Sequence, residues 1–374
     1  MGIRCEWTGS QFRRTSRIDV PTHGARRQVA MRLRRSTVGG PGIHRVRRGR
    51  GFSYVDDDRG GVSDAEVLAR IDALVIPPAW KEVWISPHPN GHIQAVGTDA
   101  AGRRQYIYHE RWQAERSEEK YERTVSLAKH LPGWRLNLLT DLRGNGLERD
   151  RVLALAQHLI DQGYFRAGGE EYVEENGSYG LSTLLREHVR LHRDCVEFDY
   201  PAKSGVRRTI SLEDPLVMRA VRSLIRTETT TPRLLAYRTT DGWCELHADD
   251  INMRFRELVG EDYSVKDLRT WHGTVLAAEA FAFAREPSSK AARRREEAAV
   301  MRAVSDQLGN TPAVARRSYV DPRVVEAYEQ GLTIAPALRQ AKRKRSPEAR
   351  RETIEQATVR LIRRVSRRRR TSSE

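Results

Sequence analysis

The chain has little cysteine, no long apolar run and none of the compact motifs that usually hold a nucleotide or a metal. Its three cysteines, Cys5, Cys195 and Cys244, are far apart and show no C-x-x-C spacing. That spacing excludes a disulfide framework or thiolate zinc cluster and fits a reducing compartment. The most apolar window, Thr274 to Ala284, is interrupted by Glu279 and falls well short of the roughly 20 residues that span a bilayer. No apolar stretch follows the Arg-rich N-terminus, so no secretory signal is read, and a cytoplasmic chain without a membrane partner is expected. The absence of G-x-x-x-x-G-K-[ST] argues against a nucleotide cofactor, and the absence of H-E-x-x-H or paired Cys/His argues against zinc. Asp56-Asp57-Asp58-Arg59-Gly60-Gly61 has the D-x-D-x-x-G spacing of a magnesium site. Its only upstream glutamate is Glu6, so the run is read as a turn and no cofactor is expected.

What is present is positive charge, unevenly placed. The whole chain of 374 residues carries +16, residues 1–50 carry +11 and residues 337–374 carry +10, so the middle carries −5. Polybasic ends bind phosphate backbones without sequence preference, or remain solvated and bind nothing in particular. On charge alone a ribosomal or nucleoid-associated protein fits as well as an enzyme. Hydrophobic residues make up 39%, enough to bury a real core, and the length suits two domains.

The first 40 residues lack periodicity and are expected to form a disordered basic leader, with Met31 as an alternative start. From about residue 41 to 125 a small β-rich domain is expected. Phe52–Tyr54 reads as a strand and Asp64–Leu74 as a helix capped by Ser63 or Asp64. Val83–Ile85, His92–Val96 and Gln105–Tyr108 read as further strands, and a charged helix runs from about His109 to Leu131. Residues 126–336 read as mainly helical, including Leu147–Gln162, Asp214–Ile225, Ala248–Leu258, Val265–Ala284, Ser288–Leu308 and Pro322–Glu329. Within them, alternation at Val189/Leu191, Val196/Phe198/Tyr200 and Val206/Ile210/Leu212 predicts a three-stranded antiparallel sheet. Arg208 is the one polar member of its set. The fold class is therefore α+β. Residues 337–374 read as a basic tail, helical in part, with no apolar face wide enough to dock firmly.

Several stretches, bland one by one, form an ordered set. They are Gly49–Tyr54, Ile76-Pro-Pro-Ala-Trp80, Gly102–His109, Phe165–Gly168, Asn176–Leu181, Ala202-Lys203-Ser204-Gly205, Lys266–His272 and Gly309–Tyr319. Taken in order, from about Pro41 to Gly331, the chain resembles the poxvirus-like type IB DNA topoisomerases, including their bacterial branch. The resemblance implies a helical catalytic domain and a smaller domain that together clamp double-stranded DNA, with Tyr319 as nucleophile. Arg166, Lys203, Arg269 and Asn310 would complete the site, and Lys266 and Tyr172 would be further phosphate contacts. Gly169-Glu170-Glu171 departs from the lysine that poxviral relatives carry there, so their DNA sequence preference does not transfer.

These residue types suit the implied chemistry. A phenol of pKa ~10 is ionised in about one molecule in a thousand at neutral pH, a deficit of ~4 kcal/mol. Two arginines can grip the non-bridging oxygens, Lys203 on its turn can protonate the departing 5′ oxygen, and Asn310, which cannot titrate, can only donate to the oxyanion. Gln105, Tyr106 and Tyr108 either contact DNA, or alternation buries both tyrosines and leaves Gln105 outside. A tyrosine recombinase is the nearest catalytic alternative. It usually presents H-x-x-R where this chain has Lys266-x-x-Arg269, and its N-terminal part is usually helical. A non-catalytic nucleoid DNA-binding protein is the alternative from another class. A monomer is expected, because two domains of one chain can close the clamp.

Overall fold

Alternating apolar residues build the first sheet. The computed structural model describes residues 32–171, 173, 177–284 and 287–371, and these fall into two compact units, one ending at Ala114 and one starting at Glu115. In the first unit, β1 (Ile43–Arg48), β2 (Gly51–Val55), β3 (Lys81–Ile85), β4 (Ile93–Thr98) and β5 (Arg104–Tyr108) form an antiparallel sheet in the order β2-β1-β3-β4-β5. Helix α1 (Ala65–Ala73) starts at Asp64, whose carboxylate accepts from the amides of Glu66 and Val67, and it sends Ile71 into a core with Ile43, Val83, Ile85 and Ala95. The triple aspartate forms the expected turn. Asp56 accepts from the Gly60 amide at 2.7 Å, and Asp57 accepts from the Gly42 amide and pairs with His44.

The leader expectation needs correcting over the part described. Strand β1, Ile-His-Arg-Val-Arg-Arg, lies just past that leader, within the domain expected from residue 41, and was not anticipated as a strand because its arginines read as solvated charge. Arg45 instead donates to the carbonyls of Ile76, Pro77 and Trp80 and lies over the Phe52 ring at 4.2 Å. Upstream, Arg34 exchanges backbone bonds with Asn90 and His92, and Ser36 bonds His92 Nδ1 and the Ile93 carbonyl. Residues 1–31, the rest of the expected leader, lie outside the described residues.

In the second unit come α2 (Glu110–Leu127, which begins just before it), α3 (Leu131–Arg143) and α4 (Arg149–Gly163), then the sheet β6 (Val189–Leu191), β7 (Val196–Pro201) and β8 (Arg207–Leu212). Its antiparallel register and the burial of Val196, Phe198 and Tyr200 follow the alternation. Next are α5 (Pro215–Arg226), the hairpin β9 (Ala236–Thr239) and β10 (Gly242–Glu245), α6 (Ala248–Val259), α7 (Val265–Phe283), α8 (Lys290–Leu308) and α9 (Pro322–Glu329). One core centred on Trp134, Phe255, Leu268, Trp271 and Phe281 joins these helices to the sheet.

The tail is the second correction. It folds as α10 (Ala335–Ala341) and α11 (Pro347–Thr371), and α11 docks. Ala357, Leu361, Ile362 and Val365 give it a narrow apolar stripe, and Glu355 is buried beside them. Buried ion pairs complete the seam, as Arg135 donates two 2.8 Å bonds to Glu355. Among the described residues no helix is long and apolar enough to cross a membrane.

Candidate active site

Helix α8 ends at Gly309, and there the site begins. Gly309 takes φ +60 at the C-cap, a left-handed conformation in which any Cβ would collide with Arg208 Nη1. The terminal carbonyls of a helix lack intrahelical donors and lie at its negative end, so they attract cations. Three arginines answer three successive carbonyls. Arg208 on β8 donates to Gln307 at 2.7 Å, Arg269 on α7 donates to Leu308, and Arg166, just past α4, donates to Gly309 at 2.7 Å.

Arg269 is only 6% exposed and also donates from Nη1 to the Tyr164 carbonyl at 2.7 Å. Tyr164 sits at φ +53, the left-handed cap of α4, which turns the chain toward Arg166. Burial pushes the Arg269 pKa down, and the neighbouring cation Arg166 adds to the effect while Tyr319 opposes it. A buried guanidinium in this state gains strongly from an arriving anion.

Tyr319 faces that guanidinium, whose carbon lies 5.2 Å from the ring centre. It ends a single π-type turn, Ala315–Tyr319, closed by the Val320 amide donating to Ala315 at 3.0 Å. Thr274 on α7 fastens the turn, donating to the Tyr319 carbonyl at 3.2 Å and accepting from the Asp321 amide at 3.1 Å. Lys120 donates to the Ser318 carbonyl at 3.1 Å. Gly273 lets the two segments approach, since a Cβ there would stand 2.8 Å from the Tyr319 carbonyl oxygen and 2.9 Å from its Cβ. Asn310 follows the arginine shelf, its amide bonded to the Ser305 carbonyl at 3.0 Å. Both polar atoms of its side chain are buried without a hydrogen-bond partner among the described residues, a costly arrangement that suits a group waiting for a ligand.

Comparison with known proteins identifies the family. The family of the eukaryotic DNA topoisomerase I catalytic core matches residues 109–346, and that of the bacterial DNA topoisomerase IB N-terminal domain matches residues 51–99. The chain belongs to the type IB DNA topoisomerases. DNA topoisomerase 1B of Acanthamoeba polyphaga mimivirus is 29% identical over 296 residues, covering 77% of this chain and 88% of the viral protein. DNA topoisomerase 1 alpha of Arabidopsis thaliana is 27% identical over 162 residues, 42% of this chain and 16% of the plant protein. DNA topoisomerase 1 of Daucus carota is 31% identical over 105 residues, 28% of this chain and 13% of its own.

The other expected site residues of this type IB topoisomerase are spread more widely. Lys203 stands exposed in the single 3-10 turn Lys203–Gly205 between β7 and β8, and the shelf bonds run through Arg166, Arg208 and Arg269 instead. Lys266 is exposed in the first turn of α7, where its charge helps to push the pKa of half-buried Lys120 down, after desolvation itself. Tyr172 lies outside the described residues. On β5 the alternation puts Tyr106 and Tyr108 outward, 42% and 36% exposed, with rings stacked at 5.9 Å. Ile107 is the residue that packs into the core, so the reading that buries both tyrosines is excluded. Gln105 is half-buried and donates to Asp99 at 2.9 Å.

Sequence reasoning gave no role to Arg208, Thr274, Gly273 or Lys120. Arg208 left one trace, as the polar break in an otherwise apolar alternation. Among the described residues, no group of three or more His, Cys, Asp or Glu side chains is placed to hold a metal ion.

Proposed function

We propose that this type IB topoisomerase cleaves one strand of duplex DNA with Tyr319, relaxes it by strand rotation and reseals it, with neither ATP nor metal. The Tyr319 Oη gives up its proton to solvent and attacks phosphorus, the bond from phosphorus to the 5′ oxygen breaks, and the strand is held as a 3′-phosphotyrosine. The departing 5′ oxygen takes a proton from Lys203, whose turn can carry it into a groove. Arg166 and Arg269 hold the non-bridging oxygens as charge builds there, and Asn310 donates a further hydrogen bond. Each such donor is typically worth ~10²–10³ in rate. The reverse attack by the 5′ hydroxyl restores the original bond, so no external energy is consumed.

The observation that carries this reading is the meeting of Tyr319, Arg269 and Arg166 at the C-terminus of α8, next to the unpartnered Asn310 amide. A non-catalytic DNA-binding protein leaves the convergence of these ordered residues beside a buried, unpartnered amide unexplained. Lys266, Tyr172, Gln105, Tyr106 and Tyr108 are proposed DNA contacts, and the chain is proposed to act as a monomer on the nucleoid in the cytoplasm. The 41–125, 126–336 and 337–374 divisions are proposed as the DNA-clamp, catalytic and C-terminal parts.

The test is plasmid relaxation in EDTA without ATP, comparing wild type with Tyr319→Phe. Wild type should relax supercoils of both signs and leave an SDS-stable adduct, while the variant binds DNA and does neither. Equal relaxation by Tyr319→Phe removes the nucleophile assignment.

A further inference from the structure

The match to the catalytic-core family ends at residue 346, one residue before α11 begins. Exposed arginines on α11 invite its reading as a DNA tether, yet one arginine points the other way. Arg351 meets the Asp161 carboxylate with two bonds, Nη1 to Oδ2 at 2.8 Å and Nη2 to Oδ1 at 2.7 Å. Its Nη2 also reaches the Asp161 carbonyl at 3.3 Å and lies 3.1 Å from His272 Nε2. Asp161 is fully buried. It also receives Arg135 Nε at 2.9 Å, and its Oδ1 stands 3.0 Å from His272 Nε2.

The positions of these partners give the cluster its importance. Asp161 lies in the last turn of α4, three residues before Tyr164, whose carbonyl holds Arg269, and five before Arg166. His272 lies on α7, three residues after Arg269, and its ring meets the Tyr164 ring edge-on at 5.0 Å. Arg351 therefore ties together the two helix segments that present the two phosphate-gripping arginines.

We infer that Arg351 is a positioning residue for cleavage, so that α11 is a working support of the active site as well as a basic surface. This rests on the proposed roles of Tyr319, Arg166 and Arg269. The bidentate geometry requires arginine, because a lysine can supply the charge but only one point of attachment. Displacing a gripping group by about 1 Å can cost ~10²-fold in rate.

The experiment measures single-turnover formation of the covalent adduct at saturating DNA, with DNA affinity measured separately, for Arg351→Met, Arg351→Lys and Leu361→Ala. Leu361→Ala loosens the same helix through its apolar stripe and leaves the ion cluster intact. The expected result is adduct formation slowed by about 10²-fold in Arg351→Met with affinity unchanged. Arg351→Lys should be intermediate, and Leu361→Ala should cleave at the wild-type rate despite a lowered Tm. Wild-type cleavage by Arg351→Met overturns the inference and leaves the site reading intact, provided Tyr319→Phe is inactive in parallel. A salt-dependent loss of affinity without loss of rate also overturns it, in favour of a tether. If Arg351→Met does not fold, Arg351→Lys decides, and a wild-type rate in that variant overturns the inference. Cleavage by Tyr319→Phe would instead remove the underlying reading.

Discussion

Arg269 holds its guanidinium carbon 5.2 Å from the centre of the Tyr319 ring while donating to the carbonyls of Tyr164 and Leu308. The cation is thus fixed by main chain from two separate segments and is ready before DNA arrives. Arg269→Ala should slow covalent adduct formation at saturating DNA by ~10²–10³-fold. Arg269→Lys should recover little, since an ammonium cannot span the same acceptors. An unchanged single-turnover rate in either variant would exclude Arg269 from the chemistry.

The close approach of Gly273 to Tyr319, the proposed nucleophile, gives a sharper prediction. In Gly273→Ala the new methyl group meets the Tyr319 carbonyl oxygen and Cβ, and backbone cannot swing aside as a flexible side chain can. Cleavage should fall by about 10²-fold, with DNA affinity within a factor of two or so of wild type. Affinity by filter binding and rate by adduct formation separate the two effects.

The proposed role of Lys203 as general acid can be tested through the leaving group. Lys203→Ala should be slow on ordinary DNA because the departing alkoxide goes unprotonated. A substrate with sulfur in place of the bridging 5′ oxygen leaves as a thiolate, whose conjugate acid has pKa ~8.5, and needs no such proton. The deficit of the variant should largely vanish on that substrate. A deficit of equal size on both substrates would show that Lys203 serves binding or structure instead.

Asp161 predicts the acid limb of stability. Although burial opposes its charge, Arg351, Arg135 and the His272 hydrogen bond hold its carboxyl well below the usual carboxylate range. A depressed folded-state pKa contributes stability that is present above the unfolded value of about 4 and is lost as pH falls through the folded value. Asp161→Asn should lose up to about 3–5 kcal/mol at neutral pH, because Arg135 and Arg351, both largely buried, keep only Glu355 as counter-charge. Its stability should also fall less steeply below pH ~4. Denaturant titrations at pH 7 and pH 3 check both statements.

Tyr106 and Tyr108 should matter to DNA and little to folding. Both are exposed and stacked on one another, away from the core that Ile107 enters. The double alanine variant should bind duplex DNA more weakly with the same salt slope, since no phosphate-pairing charge is removed. Its unfolding free energy should change by no more than about 0.5 kcal/mol per site. A large drop in Tm would mean that the pair supports the sheet.

Periodicity made most of this protein legible. The helices over Leu147–Gln162, Ala248–Leu258 and Pro322–Glu329 appear within a few residues of their expected bounds, and the alternation at Val196, Phe198 and Tyr200 runs along a strand. Strand β1 was hidden because Arg45 satisfies loop carbonyls and covers Phe52, so a residue that reads as solvated charge is part of the fold. Docking of α11 was hidden for a related reason. Its apolar stripe is narrow, and what closes the seam is Arg351 and Arg135 meeting Asp161 and Glu355, partners up to 220 residues apart.

The sequence by itself determined the class of chemistry, because the ordered residues from Arg166 to Tyr319 resemble one family and the same side chains suit phosphodiester transfer. It also determined most of the helices and the three-stranded sheet, since burial of one face imposes a period on the chain. Only the tertiary structure decided how the arginines are aimed. Their anchors are the carbonyls of Tyr164, Gln307, Leu308 and Gly309, groups that every residue carries and no sequence pattern marks. Which carbonyls lie within reach of a guanidinium is fixed only when distant helices pack.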